Sequence, residues 1–338
     1  MKGIVCEHIN QLVYRENFPE PVQVPGEAIV RIRRIGICGT DLHAFKGNQP
    51  FFTYPRILGH ELAGVIERVG DNEAGLQVGD QVCIIPYMHC GTCIACRNTK
   101  TNCCTSMKVL GVHIDGGMRE RISVPVTHLI HTPGLTLDQT AVLEPLAIGA
   151  HAVRRAHVTP SETVLVIGAG PIGLGVMVFA KFAGARVIIM DIQDERLAFC
   201  QSWAKADHII NATNNPKETL LELTGGEWPT IVFDATGNAT SMMESFGYVA
   251  HGGTLVFVGL TKGEITFHNP EFHKREMTLM GSRNATKEDF NQVQSMISAK
   301  EIDVQRYITH RSDLDHMLVE FDNWLKPESK VIKAMIEI

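Results

Sequence analysis

No long run of charge of either sign interrupts this 338-residue chain, and its 31 lysines and arginines against 37 acids leave a formal charge of −6. The basic stripe that grips a phosphate backbone is missing, which excludes a nucleic-acid-binding footprint. A long hydrophobic run is also missing. The nearest approach to the roughly 18 apolar residues of a membrane span is 164–178, and four glycines and a proline break it. Residues 1–7 contain no apolar h-region and no small-residue cleavage site, so no secretory signal and a cytoplasmic location are expected. No internal repeat or low-complexity segment occurs. With 44% hydrophobic and 20% charged residues the composition is that of a globular protein, which rules out a disordered tail, a fibre or a coiled coil. The length favours two domains and a large core that needs no staples.

Cysteine is what the chain has in unusual places. Five of its nine cysteines fall between positions 90 and 104. In a chain without an export signal such clustering points to metal or catalysis before disulfides. The spacing Cys90-x2-Cys93-x2-Cys96-x7-Cys104 lets four thiols converge on one tetrahedral Zn²⁺, the closed geometry of a structural site. Cys103 competes for the fourth position on spacing alone. A redox or iron–sulfur cluster is the alternative, but the spacing is not that of a ferredoxin.

Residues 28–35 (AIVRIRRI) alternate apolar and charged side chains with the period of a half-buried strand, and 64–70 and 79–86 read as further strands bounded by turn residues. The first 140 residues therefore predict a small β-barrel or sandwich. Near residue 150 the pattern changes. The apolar run 163–167 is followed by a glycine-rich turn, a long apolar helix at 170–183 and a second apolar run at 186–190. Runs at 231–234, 254–258 and 277–280 continue the series, as in an α/β domain with a doubly wound parallel sheet. From 286 a helix, a connection and an apolar strand at 330–338 are expected. The predicted domains are 1–149, 150–285 and a carboxy-terminal segment, 286–338.

The turn Gly168-Ala169-Gly170-Pro171-Ile172-Gly173 is a G-x-G-x-x-G that follows a strand and opens a helix, and Asp191 ends the next strand eighteen residues later. That context is the dinucleotide fingerprint: the glycines allow a tight turn and close approach of a pyrophosphate, and the helix amino terminus offers free N–H groups. Asp191 suits the ribose hydroxyls of NAD and repels the extra phosphate of NADP. Arg196, five residues on, is the group that would blur that preference.

A second constellation is dispersed over Cys38, His60, Glu61 and Glu144. Thiol, imidazole and carboxylate are zinc ligands, and three of them plus an open position make a catalytic site. Singly, Cys38 reads as a buried small hydrophobe and His60 as a hydrogen-bonded histidine. Their occurrence beside a dinucleotide fold raises the catalytic reading.

The segments Gly36-Ile37-Cys38-Gly39-Thr40-Asp41 and Gly59-His60-Glu61-x2-Gly64-x5-Gly70, the four-cysteine lobe and the glycine turn together resemble the zinc-dependent medium-chain dehydrogenases, over nearly the whole chain. The resemblance implies a GroES-like β-barrel catalytic domain, a Rossmann domain, and a carboxy-terminal segment that returns to the first. It implies a catalytic zinc on Cys38 and His60 with Glu61 or Glu144 as third ligand, and a structural zinc in the lobe. The Glu144-Pro145 pair resembles the polyol, threonine and sugar-acid branches, and the run 109–117 resembles L-idonate, L-galactonate or L-gulonate dehydrogenases. The implied reaction is oxidation of a secondary alcohol of a polyol or sugar acid to a ketone, with hydride transfer to NAD. Thr40 is implied to bond the substrate oxygen, His43 to relay its proton and Asp41 to orient a ligand. Arg283 and Asn284 are implied at the nicotinamide and Lys333 at the pyrophosphate. His89 and His113 are read as structural. Among residues 45–56, Lys46 or Arg56 would suit a substrate carboxylate, with a solvated loop as the alternative. Homodimers and homotetramers are both familiar in such families. The competing functions are a sorbitol- or threonine-type dehydrogenase and a catalytically silent NAD or zinc sensor.

Overall fold

A computed structural model describes residues 1–338, the side chain of Pro327 excepted. The chain divides into two compact units, Met1–Glu144 with Thr286–Ile338, and Pro145–Ala285. Among the described residues no helix is long and apolar enough to cross a membrane.

The first unit begins with a hairpin of β1 (Gly3–His8) and β2 (Gln11–Arg15). Next come β3 (Glu27–Ile37), β4 (Glu61–Val69) and β5 (Gln81–Ile84), then β6 (Tyr87–Met88), β7 (Lys108–Val109), β8 (Arg121–Pro125) and β9 (Leu129–His131). The alternation at 28–35 does its expected work inside β3, where Ala28, Val30 and Ile32 are fully buried while Arg31 faces solvent. β3 pairs antiparallel with β4, and register shifts at Ile29/Val30 and Ile32/Arg34 bend the pair. Ile4, Leu58, Leu62, Ile66 and Ile84 fill the core beneath these strands.

The second unit is an open sheet of β10 (Thr163–Ile167), β11 (Arg186–Asp191), β12 (His208–Asn211), β13 (Ile231–Asp234), β14 (Thr254–Phe257) and β15 (Thr278–Gly281). All pairings are parallel, in the order β12-β11-β10-β13-β14-β15. This doubly wound order reverses between β10 and β13, so the crevice for a ligand opens at their carboxyl ends. Two differences from the sequence reading have simple causes. β12 has only four residues, two of them polar, which is too short for its periodicity to register. β15 is not covered on both faces; it is the sheet edge, and Leu279 is exposed there.

The chain then re-enters the first unit through the helices Lys287–Ser298 and Val304–Tyr307, β16 (Ile308–Asp313), the helix Met317–Trp324 and β17 (Lys333–Glu337). The first unit's main sheet has the order β16-β17-β3-β4-β5-β9, with β8 also paired to β3. The last strand is thus an interior strand, antiparallel to β3, and its fully buried Met335 and Ile336 explain the apolar run. The connection expected between helix and strand contains a further strand and two helices.

Candidate metal centres and dinucleotide site

Strand pairing assembles the first site. In the β3–β4 ladder Gly36 lies opposite Glu61, so the carboxyl end of β3 and the start of β4 present Cys38 and His60 side by side. The glycine at 36 is required there, because a β-carbon on it would fall 1.9 Å from Glu61 Oε2. The ligand atoms of Cys38, His60 and Glu61 all lie within 4.8 Å of one another.

Asp41 ties the two ligand-bearing loops together. Its Oδ2 accepts from Cys38 N at 2.9 Å, capping the helix Gly39–Phe45, and its Oδ1 accepts from Gly59 N at 3.2 Å. His60 Nδ1, buried and without a hydrogen-bond partner, stands 3.7 Å from that same Oδ1. With Nδ1 turned toward Asp41, Nε2 is the nitrogen left for a metal, in the carboxylate–histidine–metal order.

Glu61 and Glu144 are differently held. Lys333 Nζ donates to Glu61 Oε1 at 2.6 Å, to Oε2 at 2.8 Å and to the Ile37 carbonyl at 3.0 Å. The sequence-based assignment of Lys333 to a pyrophosphate is corrected by this geometry: β17 lies beside β3, and that register buries the lysine at 1% exposure against Glu61. Glu144, in the first turn of the helix Leu143–Arg155, stands outside the tight trio and accepts a hydrogen bond from the Tyr87 hydroxyl.

Charge makes the case for a cation. Asp41, Glu61 and Glu144 are buried carboxylates beside a thiol, and Lys333 is the only buried lysine or arginine among the described residues. Burial pushes the Asp41 carboxyl up, and pushes that of Glu144 up to about 7. Burial alone would lower His60, but Asp41, Cys38 and Glu144 together hold it well above its ordinary value. A dication would neutralise this excess of buried negative charge. The donor set of thiolate, imidazole and carboxylate fits zinc.

Thr40, half-buried, and His43, exposed, sit on the helix that Cys38 caps. Two members of the following segment are already engaged. Phe45 is core, its ring edge-on to Phe321. Arg56 donates to Asp115 at 3.3 Å and to Thr53 at 3.0 Å, so its guanidinium is already engaged. Lys46 is exposed.

The sulfurs of Cys90, Cys93, Cys96 and Cys104 form a second group within 4.8 Å, and Cys103 is exposed outside it. Backbone N–H groups already point at these sulfurs, Cys90 N and Ser106 N to Cys104 Sγ at 3.3 Å and Cys93 N to Cys90 Sγ at 3.4 Å. Donors from Thr92 bring the Cys90 thiol down to about 7, and those from Cys96 bring Cys93 down to about 5. Burial pushes the Cys96 thiol up to about 12, and it is the convergence of the four sulfurs that suits a tetrahedral zinc.

In the second unit the glycine turn joins β10 to the helix Pro171–Phe182, with Pro171 in its first turn. A β-carbon on Gly173 would lie 1.8 Å from the Gly168 carbonyl, so only glycine lets this helix pack on its strand. The space above Gly170 is open; the nearest atom to a β-carbon there is an Arg196 guanidinium nitrogen at 3.9 Å. Arg196 therefore borders the turn, although the more natural reading of its sequence position is a solvated helix face. Asp191 accepts from Ala169 N at 2.7 Å and Gln193 N at 2.9 Å, which places its carboxylate against the turn. Ile172 lies within the first turn of that helix. Arg283 and Asn284 follow β15 at the carboxyl end of the sheet. This open cradle fits a dinucleotide pyrophosphate.

Tyr87, buried and hydrogen-bonded to Glu144, with its hydroxyl pushed well above the usual tyrosine range by burial and by Glu144, is a site residue that motif reading did not find. Tyr87 stands three residues before Cys90, and nothing in that spacing marks it.

Comparison with known proteins follows the same outline. The family profile described as "Alcohol dehydrogenase GroES-like domain" matches residues 24–134, and that described as "Zinc-binding dehydrogenase" matches 171–299. The chain is 42% identical to L-galactonate-5-dehydrogenase of Escherichia coli (strain K12), over 99% of this chain and 98% of that protein. It is 33% identical to L-idonate 5-dehydrogenase of Vitis vinifera, over 88% and 83% respectively. A crystal structure of a short chain alcohol dehydrogenase from E. coli CFT073, complexed with cofactor NADH, superposes with a TM-score of 0.92 at 31% identity, covering 100% of this chain and 99% of that one.

Proposed function

The chain belongs to the zinc-binding dehydrogenases with an alcohol dehydrogenase GroES-like domain, and we propose that it oxidises a secondary hydroxyl of a sugar acid or polyol to a ketone with NAD as hydride acceptor. The convergence of Cys38, His60 and Glu61 within 4.8 Å carries the reaction type. The end-to-end identity to a galactonate dehydrogenase supports the substrate class.

Cys38 and His60 would hold the catalytic metal, and of the two candidate carboxylates Glu144 is taken as the third ligand, because Glu61, although it lies within the trio, is already neutralised by Lys333. Zinc, when bound, supplies Lewis-acid polarisation of the substrate hydroxyl, and NAD supplies the hydride chemistry. The remaining work is the protein's. Asp41 orients His60 and locks the Cys38 loop through two backbone N–H groups. Thr40 Oγ1 would accept a hydrogen bond from the substrate hydroxyl and hand on its own proton as it takes the substrate's, and His43, exposed on the same helix, would carry that proton onward by way of the nicotinamide ribose. Gly168, Gly170 and Gly173 shape the pyrophosphate cradle, with Pro171 and Ile172 at the helix start, and Asp191 receives the ribose hydroxyls. Arg196 borders the pyrophosphate, and Arg283 and Asn284 face the nicotinamide. The lobe cysteines hold a structural zinc. This reading includes a cytoplasmic homodimer or homotetramer.

The test is NADH formation across a panel of sugar acids, neutral polyols, threonine and simple alcohols, with and without a zinc chelator. Chelator-sensitive oxidation of galactonate, gulonate or idonate is expected. Activity confined to a neutral polyol would overturn the sugar-acid assignment, and tight NAD binding with no turnover on any substrate would favour a sensor.

A further inference from the structure

The hydroxyl of Tyr87 has an unusual partner for a core tyrosine. Tyr87 is 4% exposed, and its Oη donates to Glu144 Oε1, itself buried and outside the metal trio. A buried carboxylate with one oxygen so occupied cannot rotate freely, and the bond decides which oxygen remains for a metal.

Tyr87 itself is firmly placed. β6 and β7 pair Tyr87 with Val109 and Met88 with Lys108, and Leu110 N donates to the Pro86 carbonyl at 3.0 Å. The Tyr87 carbonyl accepts from His128 Nε2 at 3.2 Å. Its ring stands edge-on to Phe290, with centroids 6.3 Å apart. The four-cysteine loop leaves this short ladder two residues after Met88 and returns four residues before Lys108, and Cys90 N to Cys104 Sγ closes its neck. The tyrosine is therefore mounted on the paired base of the lobe.

We propose that Tyr87 is the positioning residue for Glu144, holding that carboxylate in the orientation in which it ligates the catalytic metal. The proposal rests on the reading of Cys38, His60 and Glu144 as the metal's holders. A tyrosine needed only for packing would keep its role as phenylalanine, since the ring alone touches Phe290. The hydroxyl is needed only for Glu144.

The experiment compares the full-length enzyme with Tyr87→Phe, Glu144→Gln and the double variant, using Zn²⁺ and Co²⁺ as probes. Competition with a chelator gives the affinity of the catalytic site, and the visible spectrum of the Co²⁺ form reports its ligand field. Removing a partner that orients a metal ligand costs about 10- to 100-fold in metal affinity, and that loss is expected in Tyr87→Phe with its thermal midpoint and KM for NAD kept. The Co²⁺ spectrum shifts and kcat falls. Adding Tyr87→Phe to Glu144→Gln changes nothing further. An unchanged affinity and spectrum in Tyr87→Phe overturns the proposal, and so does full additivity in the double variant. Failure of the underlying site looks different: Cys38→Ser would then retain its catalytic-site metal. Should Tyr87→Phe fold poorly, Glu144→Gln with an unaltered Co²⁺ spectrum overturns the proposal by itself.

Discussion

Lys333 and Glu61, 272 positions apart in the chain, form a buried ion pair in which one ammonium reaches both carboxylate oxygens at 2.6 and 2.8 Å. Burial would lower the lysine's pKa, but Glu61 and Cys38 more than offset this and raise it. Breaking such a pair from one side leaves an uncompensated buried charge and costs about 3–5 kcal/mol. Lys333→Met should therefore lose stability of that order in urea denaturation while NAD affinity stays unchanged. Loss of NAD affinity with stability intact would restore the lysine to the pyrophosphate.

Cys38→Ser should lose one equivalent of zinc per chain and nearly all turnover. The lobe zinc and NAD binding should persist, because the lobe has its own four thiols and the glycine turn lies in the other unit. Elemental analysis beside a cofactor titration separates these. A fully active serine variant would remove the metal from the mechanism.

Asp191 bonds backbone N–H groups of the turn and of Gln193. A charge-assisted hydrogen bond to a ribose hydroxyl is worth about 1.5–3 kcal/mol. Asp191→Ala should then raise KM for NAD by roughly 10- to 100-fold and, with Arg196 left beside the turn, narrow the margin over NADP. Steady-state kinetics with both cofactors measures this, and an undiminished preference would show that discrimination lies elsewhere.

Asp138 gives the pH dependence a definite sign. Burial would raise its pKa, but hydrogen bonds from Arg311 at 2.6 Å and Arg34 at 2.8 Å hold it below the ordinary 3.8. A depressed carboxyl contributes stability above its unfolded pKa and loses it as pH falls through the folded value. Wild type should exceed Asp138→Asn in urea midpoint at pH 7, and the gap should shrink as the pH falls below about 4. A gap that is constant across that range would mean the ion pairs contribute nothing.

Local spacing made much of this molecule legible in its sequence. A glycine turn, its helix and the acid ending the next strand lie within about one βαβ unit, and chain geometry over so short a distance leaves them few arrangements. The four lobe cysteines sit in one loop, where spacing alone brings the sulfurs together; choosing Cys104 over Cys103 needed the fold, because adjacent residues project differently. Cys38, His60 and Glu61 were readable as a set only through a family resemblance. Their meeting depends on the register of β3 on β4, which no local pattern specifies.

Tertiary structure alone decided the groups that surround the ligands. The last strand inserts between β16 and β3, and that topology turns Lys333 from a candidate phosphate contact into the counter-charge of Glu61. Tyr87 meets Glu144 across 57 residues, and Arg56 is claimed by Asp115 across 59. The physical reason is the same in each case. A buried polar group must find its partner wherever the packed chain provides one, and the identity of that partner is a property of the sheet order and register, not of neighbours in sequence.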